Sequence, residues 1–110
     1  MLYFSTEVER CGTCYHEFQK GEWKRKRFWK EDSLLIHDDI YYRLGLGKLI
    51  SGVIAEYDPY GVTKVSKEQW AEIYRTAEKI GGEIFYAVSE ANVWVCKNFE
   101  SEEFFTILGI

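Results

Sequence analysis

One proline, three cysteines and no long apolar run leave this chain without most of the devices that reveal the class of a small protein. The lone Pro59 rules out a proline-rich linker or repeat. Three cysteines are an odd number without framework spacing, which excludes a disulfide scaffold and fits a reducing compartment. No stretch approaches the ~18 apolar residues that a membrane span needs. Met1-Leu2-Tyr3-Phe4 runs straight into Glu7 and Glu9, with neither a basic leader nor an apolar core, so no signal peptide is expected. Repeats, low-complexity tracts and internal linkers are missing as well. With 110 residues the expectation is one soluble, cytoplasmic domain spanning 1–110.

Aromatics are plentiful. Four Trp, eight Tyr and seven Phe exceed what so small a core requires, so some are expected on the surface, where Tyr and Trp suit contacts with a partner. Charge is unevenly spread. Between Lys20 and Lys30 six basic residues face one acid, Glu22, for +5; the remaining eight basic and seventeen acidic residues carry −9, giving the overall −4. A mostly negative field opposes binding to nucleic acid or an anionic membrane and favours a basic partner.

The pattern of residues predicts an α+β fold. Residues 2–8, 15–19 and 23–29 read as strands, with Gly21 turning between the last two, and 33–36 as a short one. Neither face of 23–29 is cleanly apolar, which marks it as an exposed edge strand. Asp38 or Asp39 is placed to cap a helical turn at 40–44. Leu46, Leu49, Ile50, Val53, Ile54 and Tyr57 then share one helical face. Asp58-Pro59-Tyr60-Gly61 is a turn. Ser66 and Gln69 have capping-box spacing ahead of Trp70, Ile73, Tyr74, Ala77 and Ile80, and Gly81-Gly82 ends that helix. Residues 83–98 read as a further helix, with a hairpin turning at 89–92 as the alternative; 104–109 read as a last strand. The architecture expected is a mainly antiparallel sheet of about four strands with helices packed on one face.

Chemistry-bearing motifs fall short one by one. Cys11-Gly12-Thr13-Cys14 has redox or half-zinc spacing, but no helix follows it, and His16, His37 and Cys96 form no second close pair for a metal. Partly buried free thiols are the expectation. His16 and His37, with the basic stretch 24–30 (Lys24, Arg25, Lys26, Arg27, Lys30), supply the residue types of a small ribonuclease, without local spacing to support it. Gly45-Leu46-Gly47-Lys48 looks like the tail of a phosphate loop, yet Leu49 and Tyr42 stand where a hydroxyl and a glycine belong. Trp23 to Lys30 interleaves rings with cations, the composition of a single-strand binder; a solvated edge strand guarded by charge is the plainer reading. No enzyme, cofactor or metal site is therefore expected.

Tyr57-Asp58-Pro59-Tyr60-Gly61-Val62-Thr63, Ser66-Lys67-Glu68-Gln69-Trp70 and the ending Phe105-Thr106-Ile107-Leu108-Gly109-Ile110 resemble immunity proteins of bacterial contact-dependent growth inhibition and other polymorphic toxin systems. The likeness covers about half the chain, and its motifs are structural rather than catalytic. It implies a cytoplasmic protein that binds a cognate toxin domain and blocks its active site, and it transfers no residue-level site. Charge and expected exposure place the partner contacts on Asp58 and Tyr60 in the turn, Glu68 and Glu72 on the Ser66 helix, and Glu100, Glu102 and Glu103 near the C-terminus.

Overall fold

The structure is a computed structural model that describes residues 1–110. Five strands, β1 (Phe4–Ser5), β2 (Tyr15–Lys20), β3 (Leu34–His37), β4 (Val62–Ser66) and β5 (Phe104–Leu108), form one sheet in the order β1-β3-β2-β5-β4. Every neighbouring pair is antiparallel. Four helices, α1 (Asp38–Leu44), α2 (Leu46–Val53), α3 (Lys67–Ile80) and α4 (Gly82–Asn98), complete an α+β fold. None is long and apolar enough to cross a membrane.

The helices lie on one face, as expected. Phe18, Ile36, Val65, Phe105 and Ile107 from the sheet share a buried cluster with Tyr41, Ile50, Trp70, Ile73, Val88 and Val95 from the helices. Phe105 sits at its centre, meeting Phe18, Trp70, Trp94 and Phe99 at ring distances of 5.3 to 6.0 Å. The capping box of α3 forms: Ser66 Oγ accepts from Gln69 N–H, and Gln69 Oε1 accepts from Ser66 N–H. Residues 83–98 are helical rather than a hairpin, with Ile84, Val88, Ala91 and Val95 buried.

Several expectations are corrected. Residues 23–29 are no strand: they lie in the long connection from β2 to β3, with Arg25, Lys26 and Trp29 in the left-handed region at φ 56°, 52° and 60°. A segment without an apolar face has nothing to hold it flat against a core. The first strand shrinks to Phe4–Ser5 because Thr6 and Glu9 cap a 3-10 turn, Glu7–Glu9, in its place. β4 is a fifth strand that the pattern did not announce. Helix α1 is capped by His37, whose Nδ1 accepts from Asp39 N–H at 3.1 Å, while the two aspartates occupy its first turn. The apolar stripe from Leu46 stops being helical at Val53; Gly45, left-handed at φ 75°, joins the two short helices.

The other sheet face is covered by the 22–33 connection. The Glu17 side chain, 1% exposed, accepts hydrogen bonds from Trp29 N–H (3.0 Å), Lys30 N–H (3.1 Å), Ser33 Oγ (2.6 Å) and Gln19 Nε2 (2.9 Å). A buried carboxylate with no cation beside it is tolerated only when its lone pairs are used in this way.

Candidate functional site

Chain continuity brings the C-terminal acids to the start of α3. Helix α4 ends at Asn98, whose buried side chain accepts from Gly21 N–H and donates to the Phe104 carbonyl. That anchors the turn 99–103 beside β4 and the Ser66 cap. Glu68, Glu102 and Glu103 therefore line one shallow cleft of about 660 Å³, together with Lys64, Lys67 and Phe104. Glu100 lines a second, of about 510 Å³, floored by Trp70, Tyr74 and Phe99. Lys67 and Phe99 belong to both, so the two clefts adjoin.

The face is electronegative without being purely acidic. Lys64 leans toward Glu22 at 3.9 Å and over the Phe104 ring, and Arg75 pairs with Glu72. Among the residues lining the two clefts, four carboxylates (Glu68, Glu100, Glu102, Glu103) stand against three cations (Lys64, Lys67, Arg75), for −1, and Arg75 is engaged by Glu72 outside them. Aromatic floor and charged rim are the composition of a protein-binding surface.

Comparison of the chain with family models, curated proteins and solved structures finds no match. What the face does is therefore read from its geometry.

The remaining predicted contacts lie elsewhere. Glu72, one turn beyond Glu68, lines a different cleft with Arg43, Leu44 and Ile80, and its charge is engaged by Arg75. Asp58 serves its own turn: its carboxylate accepts from Tyr60 N–H at 2.9 Å, and its amide donates to Thr63 Oγ1. Tyr60, 82% exposed, stands with Asp58 at the far end of β4, roughly 14 Å or more from Glu68 for a five-residue strand. The structure thus unites Glu68, Glu100, Glu102 and Glu103 and leaves Asp58, Tyr60 and Glu72 outside.

Tyr60 instead rims a third cleft, of about 580 Å³, lined by His16, Asp38, Tyr41, Lys48 and Tyr57 among others. His16 is 3% exposed, stacks on Tyr41 at 3.8 Å and holds Asp38 Oδ1 at 2.8 Å through Nε2; its Nδ1 has no partner. Burial pushes its pKa below 6.5, more than Asp38 pulls it up, so the ring is neutral at pH 7. The Tyr41 and Tyr57 hydroxyls lie 2.5 Å apart, and burial raises both pKa values, Tyr41 well above 10.0. His37 shares the face of Tyr15, its register partner, whereas His16 points to the opposite one. The two imidazoles thus point to opposite faces of the sheet. Cys11, Cys14 and Cys96 are free and exposed rather than partly buried, and no group of three or more His, Cys, Asp or Glu side chains is placed to hold a metal.

The aromatic floor is hidden in the sequence, because Trp70 and Tyr74 look like ordinary helix-stripe residues and Phe99 falls just past the end of a helix. The Glu17 clamp is hidden too, although one acid inside an otherwise inward-facing strand is a usable signal.

Proposed function

We propose that this chain is an immunity-type inhibitor: a non-catalytic protein that binds a cognate toxin domain and covers its active site with the face built from Glu68, Glu100, Glu102 and Glu103. One observation carries the reading. Four of the seven residues expected at the contact from charge and exposure, Glu68, Glu100, Glu102 and Glu103, line two adjoining clefts, the second floored by Trp70, Tyr74 and Phe99. A nuclease toxin has a basic substrate cleft, and carboxylates spaced along a groove rim imitate the phosphates that cleft evolved to hold. The overall charge of −4 adds long-range attraction for such a partner. In this reading the protein works in the cytoplasm, needs no cofactor, and binds neither nucleic acid nor membrane through this face.

The test is to mix the protein with the toxin domain encoded beside it and follow both association and nuclease activity. Stoichiometric loss of cleavage is expected, with an association rate that falls at least roughly ten-fold from low to physiological salt. A neighbouring reading frame without a toxin domain, or a complex whose rate ignores salt, contradicts the proposal.

A further inference from the structure

Residues 22–33 carry a feature that toxin binding leaves unused. Lys24, Arg25, Lys26 and Arg27 are all exposed. None of the six cations from Lys20 to Lys30 stands within 4.0 Å of a carboxylate; Lys48, Lys67, Lys79 and Lys97 are also unpaired but scattered, whereas these six are concentrated in one stretch. The protection of an edge strand does not account for them, since the sheet edges are β1 and β4. Nor does simple solvation. A loop free to choose its shape would not put Arg25, Lys26 and Trp29 in the left-handed region, which disfavours residues bearing a Cβ.

The shape is imposed from beneath. Glu17 holds the amides of Trp29 and Lys30, and the Arg27 carbonyl accepts from both Gln19 Nε2 and Trp23 Nε1 at 2.8 Å. Phe28 is left 53% exposed beside the cations, its ring braced by Trp23 at 5.3 Å and Trp29 at 6.2 Å.

Unpaired cations next to a braced, exposed ring match the two needs of an unpaired nucleic-acid strand: phosphate neutralisation and a surface on which a base can stack. A row of carboxylates would pair the cations but leave the exposed ring unused, and a duplex hides its base faces. A broad anionic membrane would also meet the exposed Glu22, Glu31 and Asp32 that flank the loop, while a single strand needs only the cation-bearing residues 24–28. We propose that residues 24–28 are a platform for single-stranded nucleic acid, with Lys24, Arg25, Lys26 and Arg27 on the backbone and Phe28 under one base.

Fluorescence anisotropy with a labelled strand of about twelve thymidines tests this, since such a length spans one small binding site. With about four phosphates neutralised, affinity should fall roughly fifty-fold between about 50 and 200 mM salt. Phe28→Ala should weaken binding roughly five- to hundred-fold with the salt slope unchanged. The double variant Lys24→Ala, Arg25→Ala should make the slope shallower by about half. These side chains are exposed, so an unchanged melting temperature should accompany each loss. The proposal is overturned by no binding at the lower salt, by full affinity in Phe28→Ala, or by equal binding of a thymidine–adenine duplex, polyglutamate or anionic phosphatidylglycerol vesicles.

Discussion

Replacing Glu17 by Ala removes a carboxylate that is 1% exposed and serves four donors, one on β2 and three on the 22–33 connection. Each hydrogen bond to a charged acceptor contributes about 1.5–3 kcal/mol, but the four are not additive. Trp29 and Lys30 are only half-buried, and water reaches their amides once the loop shifts. Ser33 and Gln19 are buried, at 3% and 0% exposure; the Ser33 hydroxyl is left unpaired, while Gln19 Nε2 keeps only its bond to the Arg27 carbonyl. Against this loss stands the desolvation cost of keeping a carboxylate inside without a counter-ion, several kcal/mol that Ala escapes. The balance is a destabilisation of about 3–5 kcal/mol, the range for breaking a buried polar network. For a domain of this size that lowers the melting temperature by roughly 15–25 °C. Urea titration monitored by tryptophan fluorescence measures it, and the near-ultraviolet circular dichroism of Trp23 and Trp29 should collapse before the far-ultraviolet signal. A loss under about 1 kcal/mol with unchanged indole signals would refute the claim that Glu17 holds the loop.

Three further outcomes follow from buried or exposed groups. Because burial holds the His16 pKa below 6.5, the folded state binds fewer protons than the unfolded one just beneath that value; stability should be full above pH 6.5 and decline as pH drops below it. His16→Gln should flatten the stability profile there, with the part owed to Glu9 and Glu83, both held below 4.5, persisting at lower pH. Asn98→Ala leaves Gly21 N–H and the Phe104 carbonyl without their partner in a site of 0% exposure, and should cost about 2–3 kcal/mol by urea titration. All three cysteines are exposed, so a thiol reagent should titrate three equivalents without denaturant; a thiol that waits for unfolding contradicts the structure.

Local rules made part of this fold legible. The Ser66 and Gln69 box and the stripe from Trp70 to Ile80 are short-range features, and α3 formed where they said. β3 and β5 were legible because each concentrates apolar residues, and β2, mostly polar, was placed by Tyr15, Phe18 and the turn at Gly21. Residues 23–29 misled because alternation of Trp, Arg and Phe mimics a strand, while what decides their shape is a carboxylate on the neighbouring strand. β4 escaped notice because only Thr63 and Val65 point inward, and it runs directly into the α3 cap. The candidate face was half legible. Charge singled out Glu68, Glu100, Glu102 and Glu103, but their meeting depends on Asn98 anchoring the α4–β5 turn beside β4, a contact across the chain that no local pattern encodes.

The four cleft carboxylates are proposed to meet a basic partner. The most direct measurement of this is the dissociation constant of the co-encoded toxin domain for the native chain and for the triple variant Glu68→Gln, Glu102→Gln, Glu103→Gln, with Glu72→Gln as the control outside the clefts. Nanomolar binding is expected for the native chain, with a loss of about 2–5 kcal/mol in the triple variant and less than about 0.5 kcal/mol in the control. Equal affinity for the native chain and the triple variant, or a larger loss in Glu72→Gln, would contradict the proposal.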